Sequence, residues 1–179
     1  RALIWGDIDD DGRIDLVRCG DAGVAIYRTT DWSQMHTLSN APCAGGATID
    51  ADHDGDLDVF VTGPDGSILH SNNRDGSFRE LGQEFGITTP AGRQIVVADL
   101  DLDRDLDIIV LGDSGTALQN DRTWQYSPYP GLSIPDSLVA ATAGDTDADG
   151  LMEVFGISAQ GQLIRFRDDG TTWTRSVMA

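Results

Sequence analysis

The sequence predicts an all-β fold assembled from four copies of one small unit. Three observations carry that expectation. A nine-residue motif, Asp-x-Asp-x-Asp-Gly-x-x-Asp or a near copy, occurs at Asp7–Asp15, Asp50–Asp58, Asp99–Asp107 and Asp145–Glu153. Its starts lie 43, 49 and 46 residues apart, a period that suits one small sheet per repeat. Each copy runs into a short apolar stretch, such as Leu57-Asp58-Val59-Phe60-Val61, that reads as a buried strand.

Each unit resolves into four strands divided by turn residues. The first has Ala2–Gly6, then the motif, Ile14–Cys19, an Asp21-Ala22-Gly23 turn, Val24–Arg28 and Gln34–Leu38. The second has Ala47–Ile49, Leu57–Thr62, a Pro64-Asp65-Gly66 turn, Ser67–His70, an Asn73–Gly76 turn and Ser77–Leu81. The third has Gln94–Ala98, Leu106–Leu111, a Ser114-Gly115 turn, Thr116–Gln119 and Trp124–Ser127. The fourth has Ala140–Ala143, Met152–Ile157, a Gln160-Gly161 turn, Gln162–Phe166 and Thr172–Val177. Helical periodicity is absent, apart from a short turn around Leu81–Phe85.

Repeated units of four antiparallel strands are the pattern of β-propeller blades. The expected blades span about 1–43, 44–92, 93–138 and 139–179 of one domain. A blade cannot bury both faces alone, so neighbours stack around an axis. No strand is left over to clasp the ends. Three arrangements stay open: a closed four-bladed monomer, half of an eight-bladed two-chain ring, and a piece of a larger propeller.

The motif also has metal-binding chemistry. Calcium takes six to eight oxygens at about 2.3–2.6 Å, and alternate acids in a tight loop can turn carboxylates toward one centre. In the first loop these are Asp7, Asp9 and Asp11, with the carbonyl of Arg13 and the carboxylate of Asp15. In the second they are Asp50, Asp52 and Asp54, the carbonyl of Asp56, and Asp58. The third offers Asp99, Asp101, Asp103, the carbonyl of Asp105, and Asp107. The fourth offers Asp145, Asp147, Asp149, the carbonyl of Leu151, and Glu153. An EF-hand would need Glu at position twelve, where this chain has Arg18, Val61, Val110 and Gly156. Up to four Ca²⁺ are therefore expected, one per blade. Arg104 stands at the glycine position of loop 3 and Glu153 replaces the last Asp of loop 4, so loops 3 and 4 are expected to be the weaker sites.

The net charge of −18 has this local source. Four acidic ligands in each of the four loops account for 16 of the 30 acidic residues, and the other 14 nearly balance 12 arginines; there is no lysine. No basic stripe suits a nucleic acid, and no apolar run is long enough to span a membrane as a helix. The sequence opens on Arg1, so a missing leader at that point carries no information.

On these residues the chain resembles the FG-GAP/VCBS repeat group, which includes the integrin α-subunit propeller. The resemblance rests on Trp5-Gly6-Asp7-Ile8-Asp9-Asp10-Asp11-Gly12-Arg13-Ile14-Asp15-Leu16-Val17 and its equivalents, and on Leu69–Phe78 followed by Phe85-Gly86-Ile87. It implies a Ca²⁺-stabilised propeller, extracellular and used for binding or adhesion. Members usually have about seven blades, which bears on whether four close alone.

Cys19 and Cys43 fall on the face opposite the loops, either bridged, as suits an oxidising compartment, or as two buried thiols. His53 lies inside loop 2 and reads as a surface residue, since calcium prefers oxygen. Trp5, Trp32, Trp124 and Trp173 serve either as packing between blades or as sugar platforms. Nucleophile, phosphate-loop and zinc motifs are missing, so no enzyme is expected. The expected role is a secreted, cell-surface or periplasmic scaffold with structural calcium. It would bind a protein or a glycan on the face opposite the loops, through segments such as 39–46, 85–93 and 128–137. A glycan-binding lectin of this fold and a propeller of a polysaccharide-active enzyme are the alternatives.

Overall fold

The computed structural model describes residues 1–135 and 137–178. Position 136, in the third candidate ligand segment, and position 179, the last of blade 4, lie outside the described residues. The strands are β1 Ala2–Gly6, β2 Asp15–Gly20, β3 Gly23–Tyr27, β4 Gln34–Ser39, β5 Gly45–Ile49, β6 Asp58–Gly63, β7 Gly66–Asn72 and β8 Phe78–Leu81. They continue as β9 Gly92–Ala98, β10 Asp107–Gly112, β11 Thr116–Asn120, β12 Tyr126–Pro128, β13 Leu138–Gly144, β14 Glu153–Ser158, β15 Leu163–Asp168 and β16 Trp173–Val177. The expected short turn is a 3₁₀ turn at Gln83–Phe85.

The strands form four antiparallel sheets, each a meander of four in chain order. The inner strands pack one blade on the next: β1 on β5, β5 on β9, β9 on β13. Three apolar clusters fill the three gaps. Ile4, Val17 and Ile26 meet Val59 and Val61 between blades 1 and 2. Phe60 and Leu69 meet Ile108 and Val110 between blades 2 and 3. Ile109 and Leu111 meet Val154, Ile164 and Phe166 between blades 3 and 4. Strand alternation explains the sharing: β6 turns Val59 and Val61 one way and Phe60 the other. Both faces of β6 and β10 are therefore covered, and every residue of these strands is buried.

Close packing of the inner strands needs small residues. A Cβ on Gly46 would lie 2.5 Å from Ile4 Cδ1, and one on Gly45 would lie 2.8 Å from the Arg93 carbonyl. The outer blades show the reverse condition. Leu3 and Trp5 of β1 point away from blade 2 and are 64% and 55% exposed. Ile157 and Leu163 pair across β14 and β15 on the flank of blade 4 that faces away from blade 3. Cys19 and Cys43 are bridged, tying the end of β2 to the blade 1–2 connection. No helix among the described residues is long and apolar enough to cross a membrane.

Candidate metal centres

All four motifs fold as the same turn, between the first and second strands of their blades. Two backbone positions in each have positive φ. The fourth position does so at Asp10, His53, Leu102 and Ala148, and the sixth at Gly12, Gly55, Arg104 and Gly150. Arg104 takes φ 77° where the other loops use glycine, a conformation costly for a residue with a Cβ. Main-chain N–H groups then fix the acids. The N–H of position six donates to the first carboxylate in every loop: Gly12 to Asp7, Gly55 to Asp50, Arg104 to Asp99, Gly150 to Asp145. The N–H of position seven donates to the fifth-position carboxylate, as Arg13 does to Asp11 and Leu151 to Asp149. Asp56 and Asp105 do the same to Asp54 and Asp103.

The ninth residue closes each loop. Asp15, Asp58 and Asp107 accept from the N–H of Ile8, Ala51 and Leu100 at 3.0–3.1 Å, and Glu153 accepts from Thr146 at 2.9 Å. All four ninth residues are buried. The longer Glu153 thus keeps the same brace as Asp, with a second bond from the Thr146 hydroxyl.

Carboxylates converge in each loop, with ligand oxygens within 4.8 Å of one another. The sets are Asp7, Asp9 and Asp15; Asp50, Asp52 and Asp54; Asp99, Asp101 and Asp107; and Asp145, Asp147 and Glu153. These tight sets leave out Asp11, Asp58, Asp103 and Asp149. The first three are held by the main-chain bonds above, and Asp149 is held by Leu151 and also by Arg167.

The donor set fits a hard cation. Asp50 Oδ1 and Asp99 Oδ1, the first acids of loops 2 and 3, are buried without a hydrogen-bond partner. So is Glu153 Oε1. A buried carboxylate oxygen left alone is costly, and a cation at the convergence point would satisfy it. Burial pushes Asp58 up to about 6, against the pull of N–H bonds from Ala51 and Asn72. It pushes Asp107 up to about 7. Asp56 rises to about 7, first from burial and then from the neighbouring Asp54 charge. In loop 4 the direction is reversed. Glu153 is held below its ordinary value by the Thr146 hydroxyl and N–H, and Asp149 by the Leu151 N–H and Arg167.

Several residues at these loops were not singled out from the sequence. Asn72 and Asn120 each end the third strand of a blade, and each reaches the loop of the blade before. Asn72 Nδ2 donates to the Ile8 carbonyl and Asn120 Nδ2 to the Ala51 carbonyl. Arg74 and Arg122 brace loops 2 and 3 on the carbonyls of Asp54 and Asp103. His53, which the sequence places at the surface of loop 2, is exposed there and lies 2.7 Å from Asp105, joining loop 2 to loop 3. The shared Asn-x-Arg pattern, Asn72-Asn73-Arg74 and Asn120-Asp121-Arg122, is the signal that marks the pair in sequence.

The candidate ligand surfaces are less uniform. A cavity of about 560 Å³ opens between blades 3 and 4, lined by Asp101, Gln119, Tyr129, Asp168, Thr171 and Trp173. It uses Tyr129–Gly131 of the expected segment but also Asp101 of loop 3, so it opens on the loop side. Trp173 packs edge-on to Tyr129 while lining this cavity, and Trp124 lies under the Arg79 guanidinium as a packing residue. Trp5 and Trp32 are exposed.

Comparison with known proteins agrees with this geometry. The family model described as an FG-GAP-like repeat matches residues 50–110. These residues hold all of loop 2, all of loop 3 and most of the strands of the interface between them. The curated proteins include no match to the chain. Among solved structures, it is similar to a lectin of Agrocybe aegerita that recognises non-reducing terminal N-acetylglucosamine. The TM-score is 0.64 at 19% identity, over 97% of this chain and 50% of the lectin. It is similar to the V. cholerae biofilm matrix protein Bap1, with a TM-score of 0.56 at 15% identity over 98% of this chain and 36% of Bap1. The WD40 domain of SCAP from fission yeast gives 0.54 at 11% identity, over 92% and 39%. At such identities the likeness is one of fold, and the chain spans half or less of each structure.

Proposed function

We propose that this chain is a calcium-binding propeller segment of an extracellular scaffold that binds a protein partner, with calcium structural rather than catalytic. One observation carries the proposal: Asp50 Oδ1 and Asp99 Oδ1 are buried and unpartnered, in equivalent loops where carboxylates converge. Asp50, Asp52, Asp54 and the Asp56 carbonyl would hold one ion, with Asp58 bracing the loop. Asp99, Asp101, Asp103, Asp107 and the Asp105 carbonyl would hold another. Asp7, Asp9, Asp11, Asp15 and the Arg13 carbonyl form the corresponding set in blade 1. Asp145, Asp147, Asp149, Glu153 and the Leu151 carbonyl form it in blade 4. Calcium would neutralise acids that otherwise repel one another, and so hold the first two strands of each blade together.

The Cys19–Cys43 bridge supports an oxidising, extracytoplasmic setting. The open flanks at Leu3 and Trp5 and at Ile157 and Leu163 support a ring completed by further blades, from a second copy or from a longer protein. Calorimetric melting in millimolar Ca²⁺ and in EGTA tests structural calcium; an unchanged midpoint would reject it. A second reading, binding of a glycan, is favoured by the cavity between blades 3 and 4, where Tyr129 and Trp173 lie beside Asp101, Gln119 and Asp168. A glycan array probed in calcium separates the two.

A further inference from the structure

The strand register places one residue, within or just past each blade's third strand, across from the ninth loop residue. Leu16 pairs with Tyr27, Val59 with His70, Ile108 with Leu118, and Val154 with Phe166. One step further, Arg28 faces Asp15, Ser71 faces Asp58, Gln119 faces Asp107, and Arg167 faces Glu153. These four side chains differ in charge and reach. Ser71 is short and neutral. Gln119 Nε2 donates to Asp101 and brings no charge. Arg28 Nη2 lies 2.7 Å from Asp9 Oδ2. Arg167 reaches furthest. Its Nη2 is 2.7 Å from Asp149 Oδ2 and 3.1 Å from Asp147 Oδ2, and its Nε is 3.6 Å from Glu153 Oε1.

The guanidinium of Arg167 therefore touches three of the four acids of loop 4. A guanidinium carries a fixed positive charge and matches carboxylates geometrically. An incoming calcium ion would have to displace it from those oxygens and then remain beside it. Loops 2 and 3 lack this obstacle. Arg74 and Arg122 grip them from outside, on a main-chain carbonyl and on the seventh-position side chain. The first, third, fifth and ninth carboxylates are left without a cation.

Building on the calcium reading, we infer that this third-strand position carries a tethered counter-ion that decides which loops take calcium. Arg167 closes loop 4, Arg28 weakens loop 1, and Ser71 and Gln119 leave loops 2 and 3 open. This order differs from the one expected on Arg104 and Glu153 alone, where loops 1 and 2 come first. Arg104 makes the same N–H bond to Asp99 that glycine makes elsewhere, so its conformation leaves the donor set in place.

The test is calcium stoichiometry by equilibrium dialysis, with metal measured directly, for the unaltered chain, Arg167→Gln and Gln119→Arg. At free calcium that fills loops 2 and 3, Arg167→Gln should bind one more ion per chain. Its added site should be at least about tenfold tighter than loop 4 of the unaltered chain, given the strength of charge-assisted pairs. Gln119→Arg should lose one ion under the same conditions. In EGTA, Arg167→Gln should melt below the unaltered chain, and calcium should restore it. Four equal sites in the unaltered chain, or unchanged stoichiometry in both folded variants, would overturn the tethered counter-ion but leave calcium binding intact. No bound calcium in any of the three would overturn both. If Arg167→Gln does not fold in calcium, Gln119→Arg decides alone, and retention of its full stoichiometry counts against the inference.

Discussion

The Asn72 side chain donates to the main-chain carbonyl of Ile8 at 2.9 Å, although 64 residues separate them. Its own N–H donates to Asp58 Oδ1 at 2.8 Å. One buried residue therefore ties the ninth position of loop 2 to the second position of loop 1. Asn120 repeats the arrangement between Asp107 and Ala51. Blade 4 has Asp168 at the corresponding strand end, and a carboxylate cannot donate to a carbonyl.

Asn72→Ala should therefore disturb two blades at once. It leaves the Ile8 carbonyl without its partner, at a cost of about 1–3 kcal/mol. Calcium affinity at loop 1 should fall, although Asn72 belongs to blade 2. Urea unfolding and calcium titration of the variant measure both effects. Loss of stability with loop 1 affinity unchanged would show that the two loops are mechanically independent.

Calcium should raise stability substantially. For a Kd of about 10 μM at about 1 mM free ion, each filled site contributes roughly 2.7 kcal/mol by mass action. The gain should be largest for the loops whose first carboxylates are buried and unpartnered. Asp50→Asn and Asp99→Asn should each remove more of the calcium-dependent rise in Tm than Asp145→Asn does. Equal losses across the three would show that all loops are filled alike.

Much of this architecture was legible in the sequence because the same chemistry repeats. Val59-Phe60-Val61 and Ile108-Ile109-Val110 are apolar at successive positions, and that is the mark of strands covered on both faces. The loop acids were legible for the same reason, as four registers of one motif. The arginines were not. Arg28 and Arg167 are polar residues at a strand end, indistinguishable in sequence from solvated ones until pairing sets them against Asp15 and Glu153. Asn72 and Asn120 act between blades, and a within-repeat comparison does not show which neighbour a side chain reaches. The cavity at Trp173 was hidden too, because its walls come from loop 3 and from a blade 4 turn far apart in the chain.

Reduction of the Cys19–Cys43 bridge should destabilise the chain by about 3 kcal/mol, since it frees a segment of 24 residue steps in the unfolded state. The effect should be the same in calcium and in EGTA, because Cys19, near the end of β2, and Cys43, in the blade 1–2 connection, are remote from the loops. Thermal melts with and without reductant measure it. Intact mass after alkylation without reductant checks the bridge itself, and two alkylated thiols would remove the prediction.

Acidity should act in opposite directions through two kinds of buried group. His70 is buried and its pKa is lowered by that burial from 6.5 to about 4. The unfolded chain then takes up the proton first, so stability is lost as pH falls from 6.5 to about 4, by up to about 3 kcal/mol. Asp58 and Asp107 are raised by burial from 3.8 to about 6 and about 7. Here the folded chain holds the proton more tightly, and stability falls as pH rises through that window. In EGTA the melting midpoint should therefore rise as pH drops from 7 toward 5. His70→Gln should steepen that rise, because it removes the opposing group. A midpoint that falls on acidification in EGTA for both proteins would contradict the burial of the two aspartates.

The exposed flanks make the last prediction. In the three interior gaps, side chains of this kind are buried: Ile4 on β1 is 8% exposed, whereas its neighbours Leu3 and Trp5 on the other face are 64% and 55% exposed. Ile164 and Leu163 show the same contrast across β15, at 0% and 41%. Burial of such a patch contributes about 25 cal/mol for each Å² removed from water, and a blade flank left in solvent forgoes it. The chain alone, 19.2 kDa, should therefore self-associate in millimolar Ca²⁺. Blade 4 of one copy would meet blade 1 of another, and two such contacts would close a ring of two chains. Light scattering should show a mass near twice that of the chain, falling on dilution. Trp5→Glu should shift it to monomer without loss of calcium binding, because Trp5 faces away from the core that holds loop 1. A single 19.2 kDa species at all concentrations would sink the two-chain ring. The flanks would then be left for blades of a longer protein.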